Sequence, residues 1–75
     1  MRILDVIQAD SGWRAVYSAA QDPGETELAR IVAWALVEAG EGERRVVGLV
    51  VDPSDGTRLV PAGDAGTLQR YGFKD

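Results

Sequence analysis

Seventy-five residues, with twelve acids against eight bases, make one small acidic domain of net charge −4. The chain has no cysteine and no histidine. That removes disulfides, thiolate nucleophiles, the commonest general base and the commonest transition-metal ligand. An apolar share of 45% argues against wholesale disorder, and the negative charge disfavours nucleic acid and anionic membranes as partners.

Residues 2–8, Arg-Ile-Leu-Asp-Val-Ile-Gln, are rich in branched aliphatics and read as a strand. Alternation puts Leu4 and Val6 on one face and Ile3 and Ile7 on the other. Asp10-Ser11-Gly12 is a turn. Residues 13–18 alternate Trp13, Ala15 and Tyr17 against Arg14, Val16 and Ser18, which predicts a second strand in a hairpin with the first. Gln21-Asp22-Pro23-Gly24 is a strong break.

Residues 25–38 carry two signals. Leu28, Ile31, Val32, Ala35 and Ala39 fit a helical stripe. Ile31, Val32, Trp34 and Val37 favour a strand, and a short loop leads straight into a stronger one. The reading taken is an irregular lead-in over 25–29 and a strand over 30–38; the alternative is an α+β fold with a helix at 25–39. Residues 44–52 form the clearest strand. Asp52-Pro53-Ser54-Asp55-Gly56-Thr57 is a hairpin turn, residues 57–60 return, and Pro61 ends them. Residues 62–66 form a loop, and Thr67 is placed to cap one short helical turn over 67–73. The expected fold is mainly β: a five-stranded antiparallel, SH3-like curled sheet or partly open barrel with a short C-terminal helical turn.

Register follows if residues 39–43 form the loop. Glu38 then faces Arg44 and Trp34 faces Gly48, where an aromatic ring covers the bare backbone. Across the next turn Asp52 faces Thr57 and Val50 meets Leu59. One face carries Val32, Trp34, Leu36, Val46, Val50 and Leu59. The other carries Ile31, Ala33, Ala35, Val37, Val47, Leu49, Val51 and Val60. A half-exposed sheet shows polar residues on one side. Here both sides are apolar, so both should be covered. The first face is the expected core, closed by Leu4, Val6 and the Trp13 hairpin. The second needs the segment of Leu68, Tyr71 and Phe73, or another protein.

Candidate chemistry is sparse. Asp52, Asp55 and Asp64 are clustered oxygens of the kind a hard cation takes, but the alternating acids and distant glutamate of a calcium loop are missing. Turn chemistry accounts for them, so no metal or cofactor is expected. Trp13, Tyr17, Trp34, Tyr71 and Phe73 fit a core better than a peptide groove; Tyr17 and Tyr71 are the two expected to reach the surface. Arg44, Arg45 and Arg58 sit among acids and read as a neutralised edge. A Ser–Lys pair would need Lys74, the only lysine, and no glycine loop cradles phosphate. Catalysis is therefore not expected.

The runs Gly12-Trp13-Arg14-Ala15-Val16-Tyr17, Val32-Ala33-Trp34-Ala35-Leu36-Val37-Glu38 and Val46-Val47-Gly48-Leu49-Val50-Val51 resemble small uncharacterised proteins of high-GC actinobacteria. The resemblance spans most of the chain and implies no catalytic or binding residue. The residues themselves point to a non-catalytic interaction module that binds itself or another protein through Tyr17, Ala33, Ala35, Leu49, Val51 and Tyr71. The alternative is a small-ligand domain with a pocket lined by Trp13, Tyr17 or Asp64. Asp5 interrupts the apolar N-terminal run, which argues against a signal peptide and for a cytoplasmic location.

Overall fold

The structure, a computed structural model, describes residues 2–18 and 24–73. The Gln21-Asp22-Pro23 part of the expected break lies outside them, as does Lys74. Among the described residues the order is β1 (Arg2–Gln8), β2 (Trp13–Ser18), β3 (Thr26–Arg30), β4 (Ala33–Gly40), β5 (Glu43–Asp52) and β6 (Asp55–Pro61). A 3-10 turn (Ala62–Asp64) and β7 (Leu68–Phe73) complete it.

The strands form two antiparallel sheets, one ordered β1-β4-β5-β6 and one ordered β3-β2-β7. The mainly β, antiparallel, open architecture is the one expected. The strands number seven rather than five, because two short runs, Thr26–Arg30 and Leu68–Phe73, carry weak strand signals and are extended by their pairing with β2. Residues 26–30 and 33–40 are extended, which overturns the helical alternative. Residues 68–73 form a strand against β2 rather than a helical turn, and the helical turn falls instead at Ala62–Asp64.

β1 and β2 do not form a hairpin. β1 pairs with β4, and β2 pairs with β3 and β7. The crossing between sheets lies at Ile31 and Val32. The Ile31 amide donates to the Trp13 carbonyl at 3.0 Å, on one sheet. The next amide, Val32, donates to Leu49 at 2.8 Å, on the other. One extended run thus switches sheets, as strands do at sandwich corners.

The register of β4 on β5 is the expected one, with Trp34 opposite Gly48 and Glu38 opposite Arg44. The loop tightens to Glu41 and Gly42, and Gly42 takes φ 73°, which glycine adopts freely. The next hairpin differs by one residue. Val50 meets Val60 and Asp52 meets Asp55, with a register shift between Val51 and Asp52. The expected Val50–Leu59 pair assumed a longer turn without that irregularity.

The core lies between the sheets. Ile31, Val50, Ala15, Tyr17 and Ala62 are buried, with Trp13, Trp34, Leu68 and Tyr71 packed around them. The Trp34 ring is edge-on to Trp13 at 5.4 Å and to Tyr71 at 5.1 Å, and Trp13 is edge-on to Phe73 at 5.2 Å. Such pairs add about 0.5–1.5 kcal/mol beyond their buried area. Trp13 thus closes over the expected core face. Ile31 joins that core rather than the second face, because the backbone turns as it changes sheets.

Candidate interaction surface

In an antiparallel pair, directly opposed residues share a face. The outer face of the four-stranded sheet can therefore be read from its register. It carries Ile3, Val6 and Gln8 from β1 and Ala33, Ala35 and Val37 from β4. From β5 and β6 come Arg45, Val47, Leu49, Val51, Leu59 and Pro61. Along these positions Arg45 is the one charged side chain. Asp5 stands opposite Leu36 and so belongs to the other face.

Ala33, Ala35, Val37 and Leu49 form a second buried cluster, against which Val47 packs. All five belong to β4 and β5. Their shielding comes from within the sheet: small residues on a central strand lie below taller neighbours such as Val6 and Val47. Those neighbours stand proud. Ile3, Val6, Val51 and Leu59 are each about half exposed.

Of the six sequence-predicted residues, the fold brings together Ala33, Ala35, Leu49 and Val51. Tyr17 and Tyr71 lie elsewhere, between the sheets. Tyr17 is 7% exposed and its hydroxyl donates to the Ala62 carbonyl at 2.8 Å. Burial, with Tyr71 nearby, pushes its pKa up. The Tyr71 hydroxyl accepts from the Gly48 amide at 2.9 Å. Their hydroxyls are satisfied inside, which is why neither needs the surface. Leu68 and Tyr71 pack on the Trp34 side, which leaves Ile7 and Val46 exposed at its edge, so the second apolar face keeps no cover from that segment. Sequence reasoning missed Ile3, Val6 and Leu59. Val6 and Leu59 were assigned to the core face, because the irregularities at residues 3–5 and 51–52 reverse simple alternation.

Beside Trp13 the space toward the C-terminal segment is filled by rings. Of the three residues expected to line a ligand pocket, Tyr17 borders a hollow of about 350 Å³ together with Ser18, Glu27, Leu28 and Thr67 among others, while Trp13 and Asp64 do not. Arg44 and Arg45 point to opposite faces and form no patch. Arg44 lies 3.8 Å from Glu38, which Arg2 also reaches at 3.3 Å. Among the described residues no group of acids is arranged to hold a metal ion, and no helix is long and apolar enough to cross a membrane.

Asp52 and Asp55 build the β5–β6 turn. Asp52 Oδ1 accepts from the Ser54 amide at 2.9 Å and its hydroxyl at 2.8 Å. Asp55 Oδ1 accepts from the Thr57 hydroxyl at 2.6 Å and its amide at 3.0 Å. These bonds hold both carboxyls below the usual range. A carboxyl whose pKa is lower when folded adds stability above its unfolded pKa, about 3.9. That stability is lost as pH falls through the folded values. The turn should therefore loosen below about pH 4, seen as faster amide exchange at Ser54 and Thr57 after correction for intrinsic rates. Protection that stays constant down to full protonation would refute the assignment.

The chain matches no protein-family model, no curated protein and no solved structure.

Proposed function

We propose that this chain is a non-catalytic protein-interaction module whose partner is a second copy, docked on the outer face of the four-stranded sheet. The observation that carries the reading is that face: apolar, half exposed at Ile3, Val6, Val51 and Leu59, and charged only at Arg45. Its size suits weak self-association. Four strands at about 4.8 Å and some 20 Å of length present about 400 Å² per copy, so mating removes about 800 Å² in all. That is the size of a weak, transient interface, so the dimer should form only as concentration rises.

Charge supports the same partner. A two-fold axis across the strands runs the two β5 strands antiparallel. Arg45 of each copy then approaches the Asp52 end of the other, where the carboxyls stay ionised. The two arginines end up far apart. A cytoplasmic setting without a cofactor belongs to the same proposal, since a cysteine-free chain suits a reducing compartment.

The test is mass in solution by size-exclusion chromatography with light scattering, across a concentration series. The chain should dimerise, and the double variant Val51→Lys, Leu59→Lys should be a folded monomer. These positions are chosen because they are exposed. Ala35, with 0% exposure on a central strand, would confound lost association with lost folding. A monomer at every concentration, or a dimer that survives the double variant, would overturn the reading.

A further inference from the structure

The outer face of the three-stranded sheet differs in character from the rest of this acidic chain. Arg14 stands directly opposite Arg30 on β3 and Gly72 on β7. Val16 stands opposite Leu28 and Arg70. Arginines from three adjacent strands therefore share one face. No acid occupies these positions, and the ion pairs among the described residues lie elsewhere, at Glu38. Like charges directly opposed across strands destabilise a sheet. An arrangement that costs stability and has no acid partner among the described residues is suited to an incoming anion.

The local geometry forms a seat. Arg14 is held by its own turn, its Nη1 donating to the Ser11 carbonyl at 2.7 Å and the Trp13 carbonyl at 2.9 Å. Its remaining N–H groups stay available. Arg70 folds over Gly72, where its Nη1 lies 3.0 Å from the position of an added Cβ. Gly72 thus lets the Arg70 guanidinium lie flat beside the residue that pairs with Arg14. A shallow hollow of about 170 Å³ opens there, lined by Arg14, Val16, Leu28, Arg70, Gly72 and Phe73. Leu28 is 56% exposed and supplies an apolar wall; Phe73, opposite Trp13 and so on the other face, only borders the hollow.

We infer that this face binds a phosphate monoester whose organic group is apolar. The dianion sits between Arg14 and Arg70, within reach of Arg30, and the organic group lies against Leu28. Forked guanidinium donors match phosphate oxygens in pairs. Three cations favour a dianion over a single carboxylate. A net charge of −4 across the whole chain repels a long polyanion, which restricts the ligand to a small ester.

The probe is phenyl phosphate, titrated at low salt into the isotopically labelled chain and followed by amide shifts. Saturable shifts are expected at Val16, Leu28 and Gly72, with weaker binding of inorganic phosphate and of benzoate. Arg70→Gln and Arg30→Gln should each weaken binding about tenfold, the loss of one charge-assisted hydrogen bond. Arg44→Gln, on the other sheet, should leave it unchanged. No saturable shift, or equal loss in Arg44→Gln, would overturn the inference. Preferred binding of a single-stranded oligonucleotide, tightening with length, would overturn it in favour of a nucleic-acid surface. None of these readings depends on dimerisation, because the site lies on the sheet that the proposed dimer leaves free.

Discussion

Trp34→Ala should cost about 3–5 kcal/mol and bring the domain to the edge of unfolding. The ring is the hub of the inter-sheet packing, edge-on to both Trp13 and Tyr71. It also lies over Gly48, where no side chain exists to fill the space it would leave. A domain of this length holds about 4–11 kcal/mol in all, and it carries no disulfide. Thermal unfolding followed by far-ultraviolet circular dichroism should show a midpoint lower by about 12 °C or more, if a folded state persists. Trp34→Phe, which keeps a ring over the glycine, should lose much less. A midpoint within a few degrees of the parent for the alanine variant would show that the two sheets do not depend on this ring.

Gly48→Ala should destabilise by about 1–3 kcal/mol, although alanine is the better residue for an ordinary strand. A Cβ at this position would lie 2.8 Å from Ile31 Cδ1, 2.8 Å from Tyr71 Cε1 and 3.3 Å from Trp34 Cζ3. The Ile31 methyl can rotate away. Tyr71 cannot move freely, because its hydroxyl accepts from the Gly48 amide itself. Relieving the clash would break that bond and leave a shielded N–H without its partner. The added variant Ile31→Val removes one of the two closest contacts and should restore part of the loss. Non-additivity between the two substitutions, measured by denaturant unfolding, checks the mechanism. Strict additivity would mean the methyl is accommodated without touching Ile31.

The same glycine shows what the sequence made readable. Trp34 opposite Gly48 followed from a loop length and an alternation, both local properties. The Arg2–Glu38 pair, by contrast, joins positions at opposite ends of any local window. β1 carries the alternation of a strand but nothing that names its neighbour. The nearest strand in sequence was therefore assumed, and β4 proved to be the partner. Residues 25–29 read as a lead-in because Glu and Ala weaken a strand signal, whereas the strand spans Thr26–Arg30. Pairing with β2 overrides that propensity.

The candidate surfaces divide in the same way. Ala33, Ala35, Leu49 and Val51 were legible because two apolar faces on one meander demand two covers. The arginine face was not. Arg14, Arg30 and Arg70 are far apart in the chain, and only the pairing of β2 with both β3 and β7 sets them side by side. Tyr17 is buried against expectation for a related reason, while Tyr71 is partly exposed as expected. A hydroxyl suggests solvent until a carbonyl or amide from a distant segment is found to satisfy it.

β2 is the central strand of its sheet, and one of its partners is the last described strand, with Trp13 opposite Phe73. Almost the whole chain must therefore be present before that sheet can close. During synthesis the four-stranded meander can begin to assemble while β2 still lacks one neighbour and Trp34 lacks Tyr71. Contacts of such long sequence separation are entropically slow to form, which places refolding on the order of milliseconds to seconds. An emerging chain spends that interval with its largest apolar rings uncovered. The sheet completes itself from β7, so removing that strand would leave an unclosed intermediate rather than a smaller version of the same fold.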